Sequence, residues 1–193
     1  MSKRTSIPKR QKAAHHEAGH AVLSAAINDA PYLVSIRRDG TKLGRACYRF
    51  EARPQRLIQV HLAGFAAEEL LSGRRSRRLR GPELGISITM ATTPSLAHLQ
   101  PMVEGRDQFL AVQEILKMGV EPRSEIIRTE FDRFYEIAKA SVQSVWPAVA
   151  AVARALLKES ELASNAFFTA LGGHDIYGPV LAVQDTYGLR ART

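Results

Sequence analysis

The run AAHHEAGHAVLSAAI at residues 13–27 contains His16-Glu17-Ala18-Gly19-His20, an H-E-x-x-H box. An α-helix advances about 3.6 residues per turn, so His16 and His20 project from one face and can share one metal ion. Glu17 then lies beside the open coordination position, where a carboxylate can take a proton from water whose pKa the ion lowers to about 7. On a helix this pattern reads as a zinc hydrolase, and first as a zinc peptidase. A surface helix that carries two histidines and no metal is the plainer alternative. The flanking residues Ala13, Ala14, Ala18, Ala21, Val22, Leu23 and Ala25 favour the first reading, because they make an apolar, helix-forming stretch suited to a core.

The rest of the chain bounds what such a helix can belong to. A length of 193 residues with 45% hydrophobic side chains suits one domain with a real core. Cys47 is the sole cysteine, which excludes an internal disulfide and a cysteine-based zinc site and fits a reducing cytoplasm. No apolar run is long enough for a membrane span, and the basic start MSKRTSIPKRQK lacks the apolar core of an export signal. A soluble, cytoplasmic protein without a membrane partner is expected.

The net charge of +8 is concentrated in two places. Residues 1–12 carry Lys3, Arg4, Lys9, Arg10 and Lys12, and residues 74–80 carry Arg74, Arg75, Arg77, Arg78 and Arg80, neither stretch with an acid. The remaining body is close to neutral. Such clusters can contact a polyanion such as nucleic acid, or an acidic partner. A solvated arm and a solvated loop are the simpler reading, since no aromatic residues are interleaved for base stacking.

Periodicity and breakers predict a mainly α (α+β) fold. The first helix spans about residues 8–28, with Pro8 in its first turn and Asn28-Asp29-Ala30-Pro31 as its stop. Residues 32–37 and 44–50 read as a hairpin around an Asp39-Gly40 turn, with an edge that can pair with an extended peptide. A second helix follows Arg53-Pro54 through Leu71, with Gly64 allowing another helix to approach closely. Residues 74–105 read as a long loop insertion with a short strand near 86–90, and residues 106–118 as a helix. An alanine-rich helix over 123–158 is interrupted at Pro147, and Ser164 caps a short helix ending before Gly172-Gly173. Residues 172–193 read as an irregular tail.

A catalytic zinc needs three protein ligands, so the box is incomplete by itself. Leu23 and Ala26 stand where the extended H-E-x-x-H-x-x-G-x-x-H motif needs Gly and His. Spacing leaves His61, His98, His174, Glu68, Glu69 and Asp107 as candidates. Glu68 or Glu69 could instead hydrogen-bond a ligand histidine and fix its tautomer, or serve as a capping or surface acid.

The chain as a whole resembles the peptidase domain of the FtsH-type ATP-dependent zinc metalloproteases. HHEAGHAVLSA is similar to that family's zinc helix, YLVSIRRDGTKLGRACYRF to its hairpin, and HLAGFAAEELLSG to its Gly-x-Ala-Ala-Glu-Glu-Leu helix. GRDQFLAVQEILKMGV resembles its Asn-Asp-x-x-x-Ala segment, and ALLKESELASNAFFTAL its terminal leucine-rich region. The resemblance spans about residues 10–171. It implies a helical, zincin-type peptidase domain with a small hairpin beside the zinc helix, Asp107 as third ligand, and Gly44, Arg45, Ala46, Cys47 and Tyr48 as a substrate-holding edge strand.

Two departures bear on this expectation. Arg106 replaces the usual Asn before the aspartate, and the 74–104 segment looks longer than its counterpart. No G-x-x-x-x-G-K-[ST] phosphate loop is present. The expected activity is therefore zinc-dependent endopeptidase cleavage of flexible or unfolded polypeptide, ATP-independent in itself, with a separate unfoldase or adaptor as a candidate partner. His16, His20 and Asp107 would bind Zn2+ and Glu17 would be the general base. Family rings are hexameric, but the ring is associated with the ATPase, so a monomer or small oligomer is expected. The alternatives are a non-catalytic zinc-binding interaction module and a nucleic-acid-associated regulator using the basic arm and Arg-rich loop.

Overall fold

The central element is helix α1 (Lys9–Ala26), whose last thirteen residues, Ala14 to Ala26, are buried but for His16. Alanines at 14, 18, 21, 25 and 26 keep its surface narrow enough for neighbours to close in on all sides. In the computed structural model of the chain, residues 7–27, 30–37, 44–47, 53–79, 81–96 and 106–189 are described. Helix α2 (Pro54–Ser72) starts with Pro54 in its first turn, ends at left-handed Gly73, and packs along α1. A Cβ on Gly19 would stand 2.6 Å from the Ala63 carbonyl oxygen, so the two helices touch backbone to backbone there.

Around this pair lie α3 (Pro82–Thr92), α4 (Asp107–Lys117), α5 (Ser124–Ser144) and α6 (Trp146–Glu159), followed by α7 (Ser164–Leu171) and α8 (Tyr177–Thr186). Helices α5 and α6 meet at 79°, with Pro147 in the first turn of α6, as the break at that proline predicts. A small antiparallel sheet has the order β2-β1-β3, formed by β1 (Leu33–Ser35), β2 (Arg45–Cys47) and β3 (Glu161–Ala163). Val34 pairs with Ala46 on one side and Leu162 on the other, leaving β2 and β3 as edges. The expected hairpin thus exists, while its Asp39-Gly40 turn lies outside the described residues. The fold is mainly α with a small β part.

Several expectations are corrected. The 74–105 segment is not one loop with a strand near 86–90: Arg77–Leu79 forms a 3-10 turn and residues 82–92 form α3. Gly85 and the β-branched Ile86, Ile88 and Thr89 disfavour a helix locally, but Leu84, Ser87 and Ile88 share one face and bury it against α4 and α5. The irregular tail contains α8, which buries Val180 and Gln184. Gly178-Pro179 looks like a loop signal, yet both fall in the first turn of α8, where Asp175 Oδ1 accepts the amides of Tyr177 and Gly178 at 3.0 and 3.1 Å. Ser164 is the first residue of α7 and makes no side-chain cap; Ala163 precedes it. Lys9, Arg10 and Lys12 of the basic stretch belong to α1, as the helix expected over 8–28 implies, while Lys3 and Arg4 lie outside the described residues. Strand β3 was not anticipated; it begins where Ser160, at φ 66°, ends α6 and turns the chain so that its carbonyl accepts Ile36 N–H at 2.8 Å.

The Arg-rich segment is also not a uniform solvated loop. Arg74 and Arg78 are exposed, the side chain of Arg77 and all of Arg80 lie outside what is described, and Arg75 is folded onto α5. Its guanidinium pairs with Asp132 and sits 4.4 Å over the Tyr135 ring, so Arg75 is withdrawn from polyanion contact. Arg75→Ala is expected to lower stability by about 1–2 kcal/mol through loss of the stacked cation and its ion pairs. Thermal unfolding should show a Tm reduced by roughly 2–8 °C.

Candidate metal centre

His16, Glu17 and His20 come from α1, and Asp107, the first residue of α4, reaches them from another part of the chain. The Nε2 atoms of His16 and His20 are 3.0 Å apart, and Asp107 Oδ2 lies 3.0 Å from the first and 3.4 Å from the second. Among the described residues this is the group whose ligand atoms converge closely enough to hold one ion, all within 4.8 Å of one another.

Helix α2 orients both rings through their other nitrogen. The Nδ1–H of His20 donates to the Val60 carbonyl at 2.6 Å, and that of His16 to Glu68 Oε1 at 2.9 Å. With both Nδ1 positions engaged, two Nε2 lone pairs and a carboxylate oxygen face one another, so three acceptors meet and a positive charge is needed between them. Tetrahedral zinc with bonds of about 2.0–2.1 Å separates its ligand atoms by roughly 3.3 Å, which the observed spacings approach. Two imidazoles and a carboxylate are also ligand types that zinc accepts. The residues present therefore fit the ion.

Space is reserved in the same place. A Cβ on Gly64 would stand 2.4 Å from His20 Nε2 and 2.7 Å from His16 Nε2. Val60, Gly64 and Glu68 recur every four residues, so one stripe of α2 supplies the carbonyl, the gap and the carboxylate. Phe65 adds an edge-on ring contact to His16 at 5.2 Å. Without an ion, a proton supplies the charge: burial opposes it, but hydrogen bonds to Asp107 and Glu68 outweigh burial and raise the His16 pKa to about 10. Burial likewise opposes ionisation of Asp107, yet the two histidines hold its carboxyl well below the usual range. Glu68, despite burial, is also shifted down by His16 and by Lys12 at 3.4 Å.

Glu17 is only 7% exposed, and burial pushes its carboxyl above the ordinary range against the opposing pull of His16 and His20. Its side chain lies under the start of β2, where Gly44 meets it. Arg45, Ala46 and Cys47 form that edge strand, which packs on α1; Tyr48 lies outside the described residues.

The other candidates separate clearly. Glu69 does not support a histidine: one residue round the helix from Glu68, it accepts Tyr135 Oη–H at 2.7 Å and Lys139 Nζ–H at 2.6 Å on α5. His61 is buried on α2, where burial lowers its pKa to about 4, and it is not in the converging group. His174 is exposed between α7 and α8, and His98 lies outside the described residues. His15, beside the box, stacks on Trp146 at 5.7 Å and donates to the Gln11 carbonyl at 2.9 Å, so it packs rather than ligates. Sequence reasoning missed the Val60 carbonyl, which no side-chain pattern announces, and valued Gly64 for helix approach without foreseeing that it adjoins the imidazoles. No protein-family model and no curated protein matches the chain.

Proposed function

We propose that the chain is a zinc-dependent endopeptidase, an H-E-x-x-H metallohydrolase of the FtsH peptidase type. The convergence of His16, His20 and Asp107 beside a buried Glu17 is the observation that carries this reading. Zinc, when bound, supplies a Lewis acid that polarises the scissile carbonyl and eases deprotonation of water. Glu17 takes the proton of the attacking water onto its carboxylate and returns it to the leaving amide nitrogen. Val60 and Glu68 keep the two imidazoles in the tautomer that presents Nε2. The position of β2 at the edge of the sheet suits pairing with an extended backbone, which limits substrates to flexible or unfolded segments, or to chains delivered by a separate unfoldase or adaptor.

Among the described residues no single helix is long and apolar enough to cross a membrane. We place the protein in the reducing cytoplasm, where a lone Cys47 stays a thiol, as a monomer or small oligomer. Arg75 being engaged with α5, the nucleic-acid reading loses part of its basic patch.

Digestion of casein tests the proposal. Activity should vanish on chelation and return with Zn2+, while far-UV circular dichroism stays unchanged, because α1, α2 and α4 pack through a core independent of the ion. A protein that binds zinc but leaves casein intact would instead be a binding module. Unfolding on chelation would point to a structural metal.

A further inference from the structure

The backbone just before β2 comes closer to Glu17 than a side chain would permit. A Cβ on Gly44 would stand 2.7 Å from both Cγ and Oε1 of Glu17, and 2.8 Å from the backbone oxygen of Ser35. Glycine is not there for its backbone freedom, since Gly44 lacks the positive φ found at Gly73, Gly119, Gly172, Gly173 and Gly188. What the position requires is the missing side chain. Ser35 belongs to the central strand and is 2% exposed, so the backbone behind Gly44 has little room to retreat. The Glu17 carboxylate is thus confined between its own helix and the beginning of the edge strand.

We propose that Gly44 is a positioning residue that seats the Glu17 carboxylate, setting the angle at which it faces the metal ligands. The inference rests on the peptidase reading for its catalytic consequence, but the contact itself can be tested without it. The atoms nearest a Cβ on Gly44 belong to Glu17 and Ser35, not to His16, His20 or Asp107, so a change at residue 44 should act first on the base and spare the ion.

Gly44→Ala is the decisive variant. It should retain one zinc per chain by native mass spectrometry, lower kcat on a casein-derived peptide by about ten- to a hundredfold, and change KM by less than about twofold. In a Glu17→Gln background the same substitution should lower the residual kcat by less than about twofold, because the group it displaces no longer acts as a base. Equal kcat in Gly44→Ala and wild type, or equal fold losses in both backgrounds, would overturn the role. A second cycle needs no turnover: Gly44→Ala should lower the Tm of the metal-free protein, and by less when Glu17 is already alanine, because only the contact with the Ser35 oxygen then remains. Equal Tm losses would overturn the contact. If the wild type proves inactive, the peptidase reading fails, and the Tm cycle alone decides whether Gly44 seats Glu17.

Discussion

Glu17→Gln is expected to bind zinc as the wild type does and to hydrolyse casein at most about a hundredth as fast, since a general base contributes roughly 10²–10⁴ in rate. Glutamine keeps the size and the hydrogen-bonding reach of the side chain, so it can still lie under Gly44, but it cannot carry a proton from water to the leaving nitrogen. Burial makes the comparison sharp: Glu17 is 7% exposed, so a solvent-borne base has poor access to replace it. Steady-state kinetics with metal content measured on the same preparation checks it. Undiminished cleavage by a zinc-loaded Glu17→Gln protein would remove Glu17 from the chemistry.

Gly64→Ala is the second large effect. The added methyl would stand 2.4 Å from His20 Nε2 and 2.7 Å from His16 Nε2, against the atoms that would bind the ion. Neither ring can move aside easily, because His20 is held by the Val60 carbonyl and His16 by Glu68, both on the helix that carries the methyl. Zinc affinity, read by competition with a chromophoric chelator, should fall by about a hundredfold or more. Helix propensity alone would favour alanine by roughly 1 kcal/mol, so a fall in affinity would not simply reflect a poorer helix. Gly85→Ala provides the control: Gly85 lies within α3 with nothing within 4 Å of its would-be Cβ, and its substitution should leave affinity unchanged. Wild-type affinity in Gly64→Ala would show that the gap beside the imidazoles is not needed by the ion.

Local pattern made part of this legible. His16 and His20 lie four residues apart in an apolar helical run, and the run does form α1 with both rings turned to one point. Asp107 could not be found that way, since nothing around it distinguishes a ligand from an ordinary first-turn acid; only the resemblance singled it out. Glu68 and Glu69 illustrate a finer limit. Adjacent residues on a helix point about 100° apart, so one reaches α1 and the other α5, and the sequence does not say which. Helices α3 and α8 were hidden because their glycines, prolines and β-branched residues speak against a helix locally, while burial of Leu84, Ile88, Val180 and Gln184 decides in its favour. The bond from Gln184 to Gln59, 3.0 Å and buried, ties α8 to α2 across a separation no periodicity reveals.

The proposed function requires one zinc ion held by two residues of α1 and one of α4. Anomalous diffraction at the zinc edge from crystals grown with stoichiometric Zn2+ tests it directly. The expected result is a single strong peak with His16 Nε2, His20 Nε2 and an Asp107 carboxylate oxygen each about 2.0–2.2 Å away. A peak elsewhere, or one bound by the histidines with the Asp107 carboxylate turned away, would contradict it.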